Sequence, residues 1–392
     1  NIFPQSKQPG IFVSGLLYEF DYSIHERRLF MKLSQAPFGT SRDQKAVSLY
    51  TLSNARGMTV EICNIGCSIV SVKVPDRDGN SVDVALGYDT VPEYEANPSA
   101  FGAVTGQFAA RIRRGQYQWN GKTVQLELNE GKNNIHGGSN GFAYRYWDCI
   151  EASGERLRFQ LFSPDGDSGF PGDLTVVITY TLTDDNTLVW ESEASTLTET
   201  ICCLTNHSYF NLNGCDSGST EGQYLTVNSD YILEIDEEML PTGRILPVAG
   251  TPFDFTSPKK LGCQCDEDHP QLKIAGGYDH YFILRPFSPF SVQAYSEETG
   301  IVLTLHTNAP GIQLYAGNFL NGTLKAKGGY YPQKRGGFCP EPISYPDAVN
   351  QPNFPSCVVS RNNPQKYRTE LSFSVKSVSY THLRAHETDQ YL

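Results

Sequence analysis

Residues 174–194 read LTVVITYTLTDDNTLVWESEA, and this stretch decides the class of fold. Two runs rich in β-branched and apolar residues, Leu174–Leu182 and Thr187–Ala194, flank the cluster Asp184-Asp185-Asn186. β-Branched and aromatic side chains favour extended strands, and clustered Asp and Asn favour a tight turn. The stretch therefore predicts two antiparallel strands joined by a short connection.

The same pattern recurs along most of the chain, whereas helical periodicity is nearly absent. Further predicted strands, each bounded by Gly, Pro, Asn or Asp, are Met58–Ile65, Ile69–Val74, Leu157–Phe162, Tyr281–Leu284, Ile301–Thr307, Ile312–Tyr315 and Leu371–Val375. Residues 117–124, YQWNGKTV, have the pattern of a hairpin around Asn120-Gly121. Many short strands with short connections predict an all-β fold, a large antiparallel β-sandwich.

The composition narrows the classes of partner. The 392-residue chain carries a formal net charge of −12 at pH 7, and an acidic surface repels both nucleic-acid phosphates and anionic lipid headgroups. No apolar run is long enough for a transmembrane helix. The apolar patch at residues 11–18 is followed by Glu19 and Asp21 and does not resemble a secretion signal. We therefore expect a cytoplasmic protein that binds neither nucleic acid nor membrane.

We predict one domain spanning residues 41–378, because neither a repeat nor a flexible linker interrupts the strand pattern. Residues 1–40 are expected to be an N-terminal extension that is partly non-native, since Met31 opens MKLSQAP like a natural start. Residues 379–392 lack any strand pattern and are similar to translated adapter sequence. They are expected to be a disordered or non-native tail.

The ten cysteines do not have the spacing of a metal site. No C-x-x-C pair occurs, and a structural zinc site usually takes two such pairs, or one pair with histidines. Reduced and mostly buried thiols are the expected state, so we predict no metal ion at the cysteines.

Four segments combine polar side chains with turn-forming residues. Residues 133–138, NNIHGG, hold His136, and residues 205–212, TNHSYFNL, hold His207. Residues 276–282, GGYDHYF, hold Asp279. Residues 336–355, GGFCPEPISYPDAVNQPNFP, place Glu341 between two prolines. Proline lacks an N–H, so this last segment is predicted to be a stiff, irregular path and neither a helix nor a central strand.

Each of these residues alone is more often structural than functional. Together, two imidazoles and two carboxylates beside aromatic residues predict a pocket for a neutral, polyhydroxyl ligand such as a sugar. Arg111, between Ala110 and Ile112, is expected in an apolar setting where it contacts a hydroxyl or a ring oxygen. Arg113 and Arg114 are expected to face solvent.

Six segments, in order, resemble the aldose 1-epimerase (galactose mutarotase) family over residues 45–376. They are GQFAARI, NNIHGG, TNHSYFNL, GGYDHYF, PGIQLYAGNFL and GFCPEPISYPDAVNQPNFPS. The resemblance implies the mutarotase-type supersandwich and the interconversion of α and β anomers of a free aldohexose, such as galactose or glucose, without a metal or an organic cofactor.

The resemblance also implies roles for individual residues. Glu341 would be the catalytic base and His207 the catalytic acid. The residues expected to bind the sugar are Arg111, His136, Asp279 and Gln313. The chain departs from the family pattern at Gln107, Ala110 and Pro340, where Arg, Asn and Leu are usual. The departures leave the preferred sugar open.

Anomer exchange needs one base and one acid, and a carboxylate and an imidazolium supply both near neutral pH. We expect Asp279 and Glu341 to keep His207 protonated. Three alternatives stay open: a non-catalytic carbohydrate-binding sandwich, a hexose-phosphate epimerase with several arginines at its cleft, and a glycoside hydrolase. The hydrolase would use Asp279 and Glu341 as carboxylates about 5–10 Å apart. The oligomeric state also stays open.

Overall fold

A computed structural model describes residues 32–376, and the predictions for residues 1–31 and 379–392 lie outside this range. The strands are β1 Lys32–Thr40, β2 Ala46–Ser53, β3 Thr59–Cys63, β4 Ser68–Pro75, β5 Ser81–Asp83, β6 Val104–Thr105, β7 Arg111–Ile112, β8 Gln116–Trp119, β9 Lys122–Gln125, β10 Asn134–Ile135, β11 Asp148–Ser153, β12 Arg156–Ser163, β13 Leu174–Leu182, β14 Thr187–Ser195, β15 Glu199–Ile201, β16 Thr205–Asn206, β17 Tyr224–Val227, β18 Ser229–Ile235, β19 Pro241–Pro247, β20 Lys259–Lys260, β21 Asp279–Leu284, β22 Val292–Tyr295, β23 Ile301–Thr307, β24 Gly311–Tyr315, β25 Cys339–Ile343, β26 Val358–Ser360 and β27 Gln365–Val375.

Helices are few and short in this part of the chain. The α-helices are α1 Val91–Ala96 and α2 Pro270–Ala275, and the 3₁₀ turns are Arg113–Gly115, Phe142–Tyr144, Asp167–Gly169, Lys327–Gly329 and Ala348–Asn350. None of the helices within residues 32–376 is long and apolar enough to cross a bilayer.

Three sheets dominate the architecture. The largest has nine strands in the order β11-β12-β13-β14-β27-β23-β22-β17-β20, and it includes the neighbouring pair β13 and β14 that residues 174–194 predict. Two five-stranded sheets have the orders β1-β2-β3-β4-β5 and β19-β18-β21-β24-β25. Every pairing between the named strands is antiparallel, and the prediction of a large antiparallel β-sandwich is confirmed.

The main core lies between the inward faces of these sheets. It takes apolar side chains from all three, including Ile62 of β3, Ile178 of β13, Leu303 of β23 and Phe282 of β21, each no more than 1% exposed. Buried positions alternate with more exposed ones along β12 and β23, because successive side chains of a strand point to opposite faces. This alternation is what allowed the strands to be predicted from the sequence.

Two expectations need correction. Residues 32–40 form β1 and pair with β2, so the sheet begins before the predicted domain start at residue 41. Arg113 does not simply face solvent, because its guanidinium donates to Asp236 at 2.7 Å and lies 4.0 Å from the buried carboxylate of Asp347. Arg114 is exposed, as expected.

The proline-rich segment also differs from its prediction. Residues 339–343 are not an irregular path but the strand β25, at the edge of its five-stranded sheet. Pro340 and Pro342 occupy alternate positions, opposite Leu314 and Ile312 of β24, while Glu341 lies opposite Gln313. A strand with prolines at alternate positions can form a full ladder on one side only, which confines it to an edge. The expectation that it is not a central strand is confirmed.

Candidate active site

One sheet positions three of the predicted site residues. On neighbouring strands β24 and β25, Gln313 is the direct cross-strand partner of Glu341. Asp279, the first residue of β21, pairs with Tyr315, two positions along β24 from Gln313. Side chains two apart on a strand share a face, so the Gln313 amide reaches diagonally to Asp279 and donates to its carboxylate at 2.6 Å.

Loops bring His207 and His136 against this sheet, and Arg111 comes from the short strand β7. His207 directly follows β16, and its backbone N–H donates to the Ala103 carbonyl at 2.8 Å. His136 directly follows β10 and is fixed by two bonds to Ala110: its N–H donates to the Ala110 carbonyl, and its Nδ1 accepts from the Ala110 N–H. Gly137 has φ +83°, and a Cβ there would lie 2.2 Å from the Gly106 carbonyl oxygen, so the turn after His136 requires glycine.

The sequence-predicted residues therefore meet in one place. A cleft with a volume of about 630 Å³ is lined by Arg111, His136, His207, Asp279, Gln313 and Glu341. A cavity of this size, with convergent polar groups and apolar walls, suits a small organic ligand.

The carboxylate of Glu341 and the imidazole of His207 form the centre of the cleft. Glu341 Oε1 lies 3.6 Å from His207 Nε2, and the two residues are only 3% and 7% exposed. This separation is too long for a hydrogen bond. Among residues 32–376 no side chain or backbone group donates to the Glu341 carboxylate. The carboxylate of Glu341 and the Nε2 atom of His207 therefore remain available to a ligand.

Burial controls the ionisation of this pair. Loss of water raises the pKa of the Glu341 carboxyl well above its usual range; the nearby Asp279 acts in the same direction and Arg111 opposes it. Loss of water also lowers the pKa of the His207 imidazole to about 4. The expectation that neighbouring carboxylates keep His207 protonated is therefore wrong for the ligand-free protein, because desolvation outweighs their attraction.

The His136 imidazole is held in its neutral form. Burial is the main cause that lowers its pKa well below the usual value, with the neighbouring His207 and Arg111 acting in the same direction. Since Nδ1 accepts the bond from Ala110, the neutral ring carries its proton on Nε2. His136 thus presents a neutral N–H donor to the cleft.

The position of Arg111 depends on a residue that sequence reasoning missed. Glu130 accepts two hydrogen bonds from its guanidinium, 2.7 Å from Nε and 2.5 Å from Nη2. This bidentate geometry is the strong form of an ion pair and fixes the plane of the guanidinium. The only sequence feature that could have pointed to Glu130 was its place in the Asn129-Glu130-Gly131 turn, just before the NNIHGG segment.

Aromatic rings complete the walls of the cleft, and the sequence analysis did not single out these residues. Tyr209 stacks on the His207 ring with centroids 5.2 Å apart, and Tyr315 stacks on Phe319 at 6.0 Å. Phe319 is 58% exposed at the rim of the cleft. Flat apolar faces of this kind match the C–H face of a sugar ring.

The three departures from the family pattern lie in different settings. Gln107 is buried away from the cleft, where its amide donates to Thr200 Oγ1 and the Ile201 carbonyl. Pro340 borders a small internal cavity with Trp190, on the face of β25 opposite Glu341. Ala110 alone lines the cleft, so it is the departure that changes the surface offered to a ligand.

Comparison with known proteins identifies the family. The model of the family described as Aldose 1-epimerase matches residues 48–374. The chain belongs to the aldose 1-epimerase family. It is 40% identical to the galactose mutarotase of Sus scrofa over 320 residues, which are 81% of this chain and 92% of that protein. It is 33% identical to the aldose 1-epimerase of Escherichia coli (strain K12) over 336 residues, 84% of this chain and 96% of that protein.

A solved structure agrees with these sequence matches. The galactose 1-epimerase of Lactobacillus acidophilus NCFM superposes with a TM-score of 0.78 at 30% identity, covering 88% of this chain and all of that chain. The predictions of the family, of its fold and of an isomerase of the aldose 1-epimerase type are thereby confirmed.

The ionisation of His207 can be measured directly. We expect a pKa of about 4 in the ligand-free aldose 1-epimerase, in place of the usual 6.5, because the buried imidazolium loses its hydration. An NMR pH titration of the histidine ring signals, with His207→Gln to assign the resonance, tests this value.

The unfolded chain would take up this proton near pH 6.5 and the folded chain only near pH 4. The contribution of His207 to the free energy of unfolding is therefore lost as the pH falls through this window. A His207 signal that titrates at or above pH 6.5 would contradict the assignment.

Proposed function

We propose that this aldose 1-epimerase interconverts the α and β anomers of a free aldohexose such as galactose or glucose, with Glu341 as the base and His207 as the acid. The 3.6 Å separation of the two side chains carries the proposal. The anomeric hydroxyl oxygen and the ring oxygen are both bonded to C1, so the groups that serve them must end only a few ångström apart.

This geometry determines which group takes a proton and which group gives one. Glu341 takes the proton of the C1 hydroxyl as the bond between C1 and the ring oxygen breaks, and His207 gives a proton to that ring oxygen. C1 becomes an aldehyde carbon, the C1–C2 bond rotates, and the two transfers run in reverse on the other face. Ring opening therefore converts a carboxylate and an imidazolium into a neutral carboxylic acid and a neutral imidazole.

Burial drives the transfers in the productive direction. A raised carboxyl pKa makes the Glu341 carboxylate a stronger base, and a lowered imidazole pKa makes protonated His207 a stronger acid. The neutral pair left after ring opening is the form that a desolvated site favours. The cleft thus favours the protonation state that accompanies the open-chain sugar, and each turnover begins with a proton transfer from the Glu341 carboxyl to the His207 imidazole, 3.6 Å away, which forms the reactive carboxylate and imidazolium.

The surrounding residues suit the binding of hydroxyl groups. We assign Arg111 and the His136 Nε2–H as donors, and Asp279, braced by Gln313, as an acceptor. Arg111 is the only lysine or arginine that lines the cleft within residues 32–376, and Glu130 already neutralises it. This argues against a phosphorylated hexose, which would need more than one free cation.

The partner and the cellular location of the protein follow from the same features. The partner is a small-molecule aldose, with neither nucleic acid nor membrane as a ligand. The location is the cytoplasm: all ten cysteines are free thiols, with Cys202 and Cys203 buried next to each other, as a reducing compartment maintains them.

The base is tested by Glu341→Gln, which keeps the shape of the side chain and removes the proton acceptor. We expect kcat to fall about 10²–10⁴-fold, the usual contribution of general acid–base catalysis, while galactose still binds. The change in optical rotation of freshly dissolved α-galactose measures turnover, and calorimetry measures binding.

The matched control for this variant is Glu151→Gln, at the surface beside Arg158, which should keep full turnover. Undiminished turnover in Glu341→Gln, or a wild-type protein that binds galactose without accelerating its mutarotation, would sink the proposal. The second result would instead favour a carbohydrate-binding module, and sugar released from an aryl glycoside would favour a hydrolase.

A second variant tests how Arg111 is held. Glu130→Gln should raise KM for galactose about three- to tenfold with little change in kcat, because a charge-assisted bidentate pair is replaced by a weaker neutral one. Steady-state polarimetry separates the two constants. Glu151→Gln again serves as the control, since its carboxylate is about as exposed as that of Glu130 and pairs with Arg158, which does not line the cleft. An unchanged KM would show that Glu130 does not position a sugar-binding group.

A further inference from the structure

A buried thiol lies beside the proposed acid and base. Cys339 precedes Glu341 by two residues on β25, so the two side chains share a face of the strand. One ligand atom from each of His207, Cys339 and Glu341 lies within 4.8 Å of the other two, and all three residues are buried. Sequence spacing gave no sign of this group, because its members come from two segments far apart in the chain.

Imidazole nitrogen, thiolate sulfur and carboxylate oxygen are the three ligand types that proteins offer to Zn²⁺. In tetrahedral zinc sites, metal–ligand bonds of about 2.0–2.3 Å separate neighbouring ligand atoms by about 3.3–3.8 Å. The 3.6 Å between His207 Nε2 and Glu341 Oε1 already matches this spacing.

The electrostatic surroundings favour a dication. Within residues 32–376 neither the Cys339 thiol nor the Glu341 carboxylate has a hydrogen-bond partner, and His207 Nδ1 is buried without one. Asp279 adds negative charge next to the thiol. The nearest cation, Arg111, is already paired with Glu130. A metal ion would take the place of the protons on the thiol and the carboxyl as the positive charge beside these ligand atoms.

A second cluster in the chain offers the useful contrast. Glu221, Cys265 and Asp266 also lie within 4.8 Å of one another. There, however, Arg335 donates to Glu221 at 2.6 Å and to Asp266 at 2.7 and 2.5 Å. The guanidinium already occupies the place that a metal would take, so this cluster is a matched negative control.

We propose that His207, Cys339 and Glu341 form a three-ligand site for Zn²⁺ at the base of the cleft, and that zinc inhibits the enzyme reversibly by occupying it. On binding, the thiol and the carboxyl lose any protons they carry to solvent, and no redox change occurs. The binding site stands on geometry alone, whereas the inhibition rests on the proposed roles of Glu341 and His207.

Cobalt tests the binding independently of activity. Co²⁺ takes zinc sites, and its bond to a thiolate produces a charge-transfer absorption in the near ultraviolet. We expect this band in the wild-type protein, its loss on addition of Zn²⁺ or saturating galactose, its absence in Cys339→Ser, and its presence in Cys265→Ser. No band in the wild type, or a band that survives Cys339→Ser, would overturn the site.

Polarimetry tests the consequence for catalysis. Buffered Zn²⁺ should inhibit wild-type mutarotation competitively with galactose, and EDTA should restore it. Cys339→Ser should keep basal turnover and need more than about tenfold more zinc for the same inhibition, since loss of even an outer-shell partner costs about that much affinity. Cys265→Ser should behave as the wild type.

Equal zinc sensitivity in Cys339→Ser and the wild type would overturn the proposed inhibition. A thermal unfolding curve confirms that Cys339→Ser is folded, and the competition between galactose and cobalt in the wild type needs no variant. If the cobalt band forms while Glu341→Gln keeps full turnover, the metal site stands and the proposed catalytic role fails.

Discussion

Two ionisable groups of opposite type, held 3.6 Å apart and almost closed to bulk water, carry the chemistry that we propose for this protein. In water, Glu341 and His207 would be a weak base and a moderate acid. Desolvation penalises the charged form of each, so it strengthens the carboxylate as a base and the imidazolium as an acid at the same time. No metal ion is needed for this effect, since it follows from burial.

The fold supplies the rigidity that such a pair needs. Glu341 lies on an edge strand whose alternating prolines restrict its backbone, with Gln313 opposite it in the ladder. His207 approaches from a separate segment anchored to Ala103. Because the two groups come from different parts of the sandwich, only the folded protein creates the site. The same closeness brings Cys339 into reach, which makes the acid–base centre a candidate target for a thiophilic metal.

The sequence predicted what depends on local pattern. Alternating β-branched runs such as Leu174–Leu182 gave the strands, because a half-buried strand has a period of two residues. The resemblance of short motifs gave the six cleft residues, all of which the structure brings together. The edge strand at Glu341 was missed because prolines usually exclude strands, and the exception requires knowledge of which strand lies at an edge.

Features that depend on contacts between distant segments of the chain could not be predicted from the sequence. The partner of Arg111, the aromatic stacking of Tyr209 on His207 and the thiol of Cys339 all depend on how separate segments pack. The ionisation of His207 was predicted with the wrong sign because sequence shows the neighbouring charges but not the extent of burial. Where water is excluded, desolvation outweighs an acid a few ångström away.

The protonation state of Glu341 in the ligand-free enzyme tests this account most directly. A difference infrared spectrum between the wild type and Glu341→Gln, recorded over a range of pH, isolates the vibration of this one carboxyl group. The account predicts that the carbonyl band of the protonated acid gives way to the carboxylate band at a higher pH than for an ordinary glutamate, because burial raises the pKa of this carboxyl. A carboxylate band that forms at the pH of an ordinary glutamate would contradict it.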